Sequence, residues 1–152
     1  MAASRNARGG TLVVGGGFAG STVARLLGRR RATIVSPENA MLFTPILPEA
    51  ASGTLEPRHV VVPLRAMCPH AELILGRAVE HDAGERKVRV ETGEEAFWIG
   101  YEDLVVALGA VARTLPIPGL AAHGLGFKDL ADAIHLRNHV LRRLESASTA
   151  GS

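Results

Sequence analysis

The run TLVVGGGFAGSTVARLLGRRRATIVS, Thr11 to Ser36, restricts the fold more than any other part of this 152-residue chain. Thr11 to Val14 is β-branched and aliphatic without polar alternation, the pattern of a strand buried on both faces of a parallel sheet. Val23, Leu26 and Leu27 recur behind it at helical spacing, and Ala32 to Val35 is a second buried strand. The three together make a βαβ unit. At the first junction stands Gly15-x-Gly17-x-x-Gly20, with Phe18 and Ala19 between the last two glycines. In that context each glycine answers a separate demand: Gly15 makes the tight turn, Gly17 lets backbone approach a pyrophosphate, and Gly20 lets the helix pack closely on the strand. The helix N-terminal N–H groups then face the phosphates.

Such units place an Asp or Glu at the end of the second strand, where it hydrogen-bonds the adenosine ribose. Here that position is Ser36, followed by Pro37, Glu38 and Asn39. Serine offers one hydrogen bond without charge, and Glu38 and Asn39 are within reach of the same edge. Ser36 and Pro37 equally suit the start of a turn.

Prolines at 37, 45, 48, 57, 63 and 69 make the next segment irregular, so it reads as loops with one short helix around Arg58 to Met67. Ala71 to Leu75 reads as a third parallel strand. Arg77 to Asp82, Lys87 to Glu91 and Ala96 to Ile99 alternate apolar and polar residues and predict a half-exposed antiparallel meander, on which Phe97 and Trp98 face opposite ways. Leu104 to Ala107 returns to the fully buried type and leads to Leu108-Gly109. A PIPG loop precedes a last helix, Lys128 to about Ser146, with Leu130, Ile134, Leu141 and Leu144 on one stripe. The expected organisation is a disordered start over residues 1–10, one domain over 11–146 and a flexible tail over 147–152.

Composition narrows the chemistry. Apolar residues make up 47% and charged residues 21%, enough to bury a core. Fifteen arginines and two lysines face fifteen acids, with one short basic run, Arg29 to Arg31, that reads as a solvated helix cap. Six aromatics are too few for a base-stacking surface, so nucleic acid is not an expected partner. One cysteine, Cys68, excludes an internal disulfide, a dithiol centre and a cysteine zinc site, and reads as an apolar filler. His135 and His139 stand four apart without the Glu or third ligand that a zinc motif adds. No apolar run approaches the roughly 20 residues of a membrane span, and MAASRNARGG lacks a signal-peptide core, which leads to the expectation of a cytoplasmic chain.

Four segments resemble the two-dinucleotide-binding-domain flavoproteins, and among them the type II NADH dehydrogenases, or non-electrogenic NADH:quinone oxidoreductases. They are VVGGGFAGSTVARLL, NAMLFTPILPEAASGTLEPRHVVVPLR, YEDLVVALG and LPIPGLAAHGLGFKDLADAIHLRNHVL, spread over most of residues 11 to 146. The second and fourth are long and specific. The resemblance implies a Rossmann-like α/β domain with a parallel sheet and a small meander, binding FAD. It places the pyrophosphate on Gly15 to Gly20, runs Thr44, Pro45 and Leu47 past the isoalloxazine, sets Val79 opposite adenine and returns the chain near the cofactor at Ala107, Leu108 and Gly109. Leu108 stands where the family usually has Thr.

The family binds NADH at a second GxGxxG, and it carries C-terminal amphipathic helices that seat the enzyme on the cytoplasmic face of the membrane and shape the quinone site. Neither is found in these 152 residues. The expectation is therefore a truncated product, a fragment or one piece of a split enzyme, binding FAD and using NADH and quinone only when the remainder is supplied. Its chemistry belongs to the cofactor, and no catalytic side chain is required; Glu49 is read as a solvated loop acid. The alternatives are a non-catalytic nucleotide-binding module that docks to a partner chain, and a compact NAD(P)-dependent dehydrogenase. The latter is disfavoured by the missing acid at position 36 and the lack of a catalytic pair.

Overall fold

A computed structural model describes residues 4–150; the outermost positions of the expected disordered start and flexible tail lie outside them. In chain order the elements are β1 (Ser4–Asn6), β2 (Thr11–Val14), α1 (Phe18–Leu27), β3 (Thr33–Ser36), β4 (Ala40–Leu42), α2 (Leu47–Ser52), β5 (Val61–Pro63), α3 (Leu64–Met67), β6 (Glu72–Leu75), β7 (Arg77–Asp82), β8 (Lys87–Glu91), β9 (Ala96–Gly100), β10 (Asp103–Val106), α4 (Leu120–His123) and α5 (Leu130–Ala150). Where the sequence suggests one domain over 11–146, the chain divides into two compact units. One lies within Met1–Met41 and Val62–Gly109, the other within Leu42–Val61 and Ala110–Ser152.

The first unit is the α/β body. Its main sheet has the order β10-β2-β3-β6 with every pair parallel, so all four strands end at one edge. Alternate residues face opposite layers. Leu12, Val14, Val35 and Ile74 pack with Val88, Val90, Phe97 and Ile99 of the meander. Val13 and Ile34 pack on the other side with Ala24 of α1 and Cys68. The β7-β8-β9 meander is antiparallel. Phe97 is its inward aromatic, whereas Trp98 is half-buried beneath the Lys87 ammonium, 5.0 Å from the ring centroid.

Two parts of this unit depart from the sequence reading. Ser4–Asn6 is not disordered: it adds to β9 as a parallel fourth strand, and Arg5 lies over the Phe97 ring at 4.5 Å. An exposed polar tripeptide gives no periodic signal for such pairing. Leu104 to Ala107 is not fully buried either, because β10 is an edge strand with Val106 65% exposed. A continuous apolar run looks alike whether one or two strands flank it.

The second unit centres on Leu47, Ala50, Val60 and Ala133, all buried. Residues 44–52, expected as loop, form a 3-10 turn, Thr44–Ile46, running into α2. Pro45 and Pro48 sit in the first turns, where their lack of an N–H costs nothing, and Gly53 at φ 80 caps the helix. Glu49 is thus a first-turn helix acid. The expected helix over 58–67 is split into the Pro57–Val60 turn and α3, since Pro63 ends β5 between them. The short α4 follows Gly119 at φ 83 and was not expected. A reciprocal cap starts α5: Asp129 Oδ1 accepts from the Asp132 N–H at 2.8 Å, and Asp132 Oδ2 accepts from the Asp129 N–H at 3.3 Å. This helix continues into the expected tail as far as Ala150, and Ser146, Ser148 and Thr149 donate to carbonyls of the preceding turn. Of its predicted stripe, Leu130 packs on the core, whereas Leu141 and Leu144 are exposed.

Candidate dinucleotide-binding site

The carboxyl ends of parallel strands are where open α/β sheets bind ligands. In the first unit that edge gathers Gly15 to Gly20 after β2, Ser36 to Asn39 after β3 and Ala107 to Gly109 after β10. The Gly15 N–H donates to the Val35 carbonyl at 2.8 Å and its φ of 111 turns the chain out of the sheet.

The three fingerprint glycines differ in what surrounds them. A Cβ on Gly15 would overlap the Ala107 carbonyl, and one on Gly20 would overlap the Gly15 carbonyl, so both are demanded by the protein's own packing. A Cβ on Gly17 would meet no protein atom within 4 Å, and its backbone (φ −73, ψ −163) suits any residue. Nothing within the chain requires the bare Cα at Gly17. Gly17 is also the N-cap of α1, with no capping side chain and no acid in the first turn, so this helix end presents uncompensated positive dipole.

Sequence reasoning missed the supports. Gly16 is also closely packed: a Cβ there would stand 2.5 Å from Leu64 Cδ1 and 2.8 Å from Ser36 Oγ, side-chain atoms rather than the backbone that hems in Gly15. Ser21 is wholly buried, donates its hydroxyl to the Gly17 carbonyl at 2.7 Å and accepts the Cys68 thiol through its own carbonyl at 3.3 Å. The run of three glycines was a signal for the first; a serine inside an apolar helix face gave little for the second.

Ser36 is buried and its Oγ accepts from the Glu38 N–H at 3.3 Å, so it does shape the turn, while Pro37, Glu38 and Asn39 are exposed. Val79 stands at a β-bulge: Ala78 pairs Val90 and Glu80 pairs Arg89, leaving Val79 without an opposite residue. It borders a concavity of about 270 Å³ whose lining is mostly apolar, with Val14, Ala78, Val88, Leu104, Val106 and Leu108, and also includes Glu80 and His81. Leu108 is 71% exposed there, and Gly109 holds φ 72. Thr44 and Pro45 are exposed residues of the second unit, whereas the Leu47 side chain is 2% exposed in that unit's core. His135 and His139 stack on α5 with ring centroids 6.3 Å apart. Among the described residues no helix is long and apolar enough to cross a membrane.

Known proteins share this arrangement. The family profile described as pyridine nucleotide-disulphide oxidoreductase matches residues 10–148. The chain is 31% identical over 148 residues to external alternative NAD(P)H-ubiquinone oxidoreductase B4, mitochondrial, of Arabidopsis thaliana, covering 90% of this chain and 25% of that protein. It is 32% identical over 125 residues to external NADH-ubiquinone oxidoreductase 2, mitochondrial, of Saccharomyces cerevisiae, covering 77% and 23%. It thus spans about a quarter of the length of these relatives. Among solved structures, NDH2 of Plasmodium falciparum in complex with RYL-552 superposes with a TM-score of 0.78 at 25% identity, over 91% of this chain and 30% of that one. Sulfide:quinone oxidoreductase of Aquifex aeolicus shares the fold, with a TM-score of 0.73 at 24% identity over 95% and 33%. With the fingerprint, the parallel sheet and the meander in this order, and the match spanning nearly all of them, the chain belongs to the pyridine nucleotide-disulphide oxidoreductase family.

Proposed function

We propose that the first unit binds FAD and that this chain is the FAD-binding part of an NADH:quinone oxidoreductase. The observation that carries the reading is the open side of Gly17, a glycine required by nothing in the protein itself. When bound, flavin supplies the redox chemistry, accepting hydride equivalents from NADH and passing electrons to a quinone. The chain's own contribution is binding and orientation. The first-turn amides of α1 hold the pyrophosphate, with Ser21 fixing the Gly17 carbonyl so that the cap stays open. Ser36, Glu38 and Asn39 offer hydroxyl, carboxylate and amide groups to the ribose in place of the usual single acid. The bulge at Val79 and the apolar concavity beside it receive the adenine end, since about 270 Å³ suits one end of a dinucleotide and not the whole. Ala107 and Gly109 close the far side with backbone. The relatives named as NAD(P)H-ubiquinone oxidoreductases support the reaction.

Separate equilibrium titrations of the purified chain with FAD and with NADH test this reading. Tighter binding of FAD is expected. Tighter binding of NADH would instead make the chain a nicotinamide-binding protein.

A further inference from the structure

The geometry points to a second surface at the other end of α1: we infer that Arg25, Leu26, Arg29, Arg30 and Arg31, joined by Arg8, form a docking face for an anionic lipid membrane. The first 37 residues contain six arginines and neither Asp nor Glu, while all fifteen acids lie beyond Pro37. The fold gathers this charge. The Arg8–Gly10 turn lies directly on the Arg30–Arg31 backbone, where a Cβ on Gly9 would overlap the Arg30 carbonyl and stand 2.7 Å from that of Arg31. Arg8 is thereby brought beside a run more than twenty residues away in sequence. Arg25, Arg29, Arg30 and Arg31 are all exposed, and among the described residues none of them forms a salt bridge. Two acids adjoin the Arg8–Gly10 turn: Glu72, 3.8 Å from both Arg5 and Arg8, and Glu102, whose carboxylate lies against Gly10, while Arg25, Arg29, Arg30 and Arg31 stay unpaired among the described residues.

Two features separate this patch from a solvated helix end. Leu26 is 78% exposed in its midst, because α1 buries Gly20, Ser21 and Ala24 and turns Leu26 outward between Arg25 and Arg29. An exposed apolar side chain at the end of a helix, with exposed arginines at positions 25, 29 and 30, matches the boundary between lipid headgroups and acyl chains. Arg31 holds φ 63 and ψ 157, a region that glycine alone enters at low cost, so an arginine occupies a position the backbone would rather give to glycine. Residues 19–42 contain no aromatic side chain to stack on bases, which favours lipid over nucleic acid. The ten residues of α1 set this face about 15 Å from Gly17, so the inference does not rest on the FAD reading.

Co-sedimentation of the full chain with vesicles tests it. Binding is expected to phosphatidylcholine–phosphatidylglycerol vesicles but not to pure phosphatidylcholine, and should fall at high salt. Each arginine near the surface contributes about fivefold, so Arg29→Gln with Arg30→Gln should weaken partitioning about 25-fold. Leu26→Ser should weaken it with the salt dependence unchanged, and Leu26→Trp should give blue-shifted emission on anionic vesicles only. All three positions are exposed, and circular dichroism checks that each variant folds. Equal binding to neutral vesicles, no binding, or no loss in the double arginine variant would overturn the inference. So would displacement by a DNA duplex together with indifference to Leu26→Ser, which would assign the face to nucleic acid.

Discussion

The N–H of Gly15 donates to the carbonyl of Val35 at 2.8 Å, so the first fingerprint glycine is still tied to the neighbouring strand as the chain turns away from the sheet. The same residue's carbonyl lies where a Cβ of Gly20 would stand. Gly20→Ala therefore pushes α1 off the sheet, and a loss of about 2–4 kcal/mol in unfolding free energy is expected by denaturant titration. Gly17→Ala, with open space at its Cβ, should change stability by no more than about 1 kcal/mol.

Leu47 was a plausible ligand contact on sequence and is a core residue in the structure, packed with Ala50, Val60 and Ala133. Leu47→Ala should cost about 2–4 kcal/mol in the stability of the second unit, read as early loss of α5 helicity on heating. A Leu47→Ala variant that melted like the parent and lost only ligand affinity would return this side chain to the ligand.

The parallel sheet and meander were legible because burial on two faces and burial on one leave different periodicities, as Thr11–Val14 and Lys87–Glu91 show. Less of the site could be read. The fingerprint marks Gly15, Gly17 and Gly20 alike, and only packing separates the two that the protein needs from the one it does not. The Val79 bulge is a matter of register between β7 and β8, and Ser21 acts through a carbonyl; neither leaves a mark in residue type. The helix that starts at Leu47 was hidden because two prolines, Pro45 before it and Pro48 in its first turn, read as loop.

Thr33 links the Arg8–Gly10 turn to the main sheet: its buried hydroxyl accepts the Arg8 N–H at 2.8 Å and donates to Glu72 Oε2 at 3.0 Å. Thr33→Val keeps the shape and leaves that N–H without its partner, for an expected loss of about 1–3 kcal/mol. Hydrogen exchange at the Arg8 amide should accelerate with it. Unchanged exchange would show that this bond does not hold the turn.

Burial pushes the Cys68 thiol above its ordinary range, and the nearby Arg25 charge only partly offsets this. The folded state thus favours the protonated thiol, which donates to the Ser21 carbonyl. The associated stability is fully present below the unfolded thiol's pKa and is lost as pH rises past it toward the folded value. Unfolding free energy should therefore fall above about pH 8.5, and Cys68→Ala should remove that part of the decline. Ellman's reagent should label the native chain far more slowly than the denatured one.

The central claim, that the space beside Gly17 belongs to a flavin dinucleotide, is tested most directly by titrating FAD into the parent chain and into Gly17→Val at matched stability. A Cβ branch there would stand where the pyrophosphate meets the backbone, so FAD affinity should fall at least about tenfold, or about 1.4 kcal/mol, while the unfolding midpoint stays near that of the parent. Equal FAD affinity in the two proteins would contradict the account.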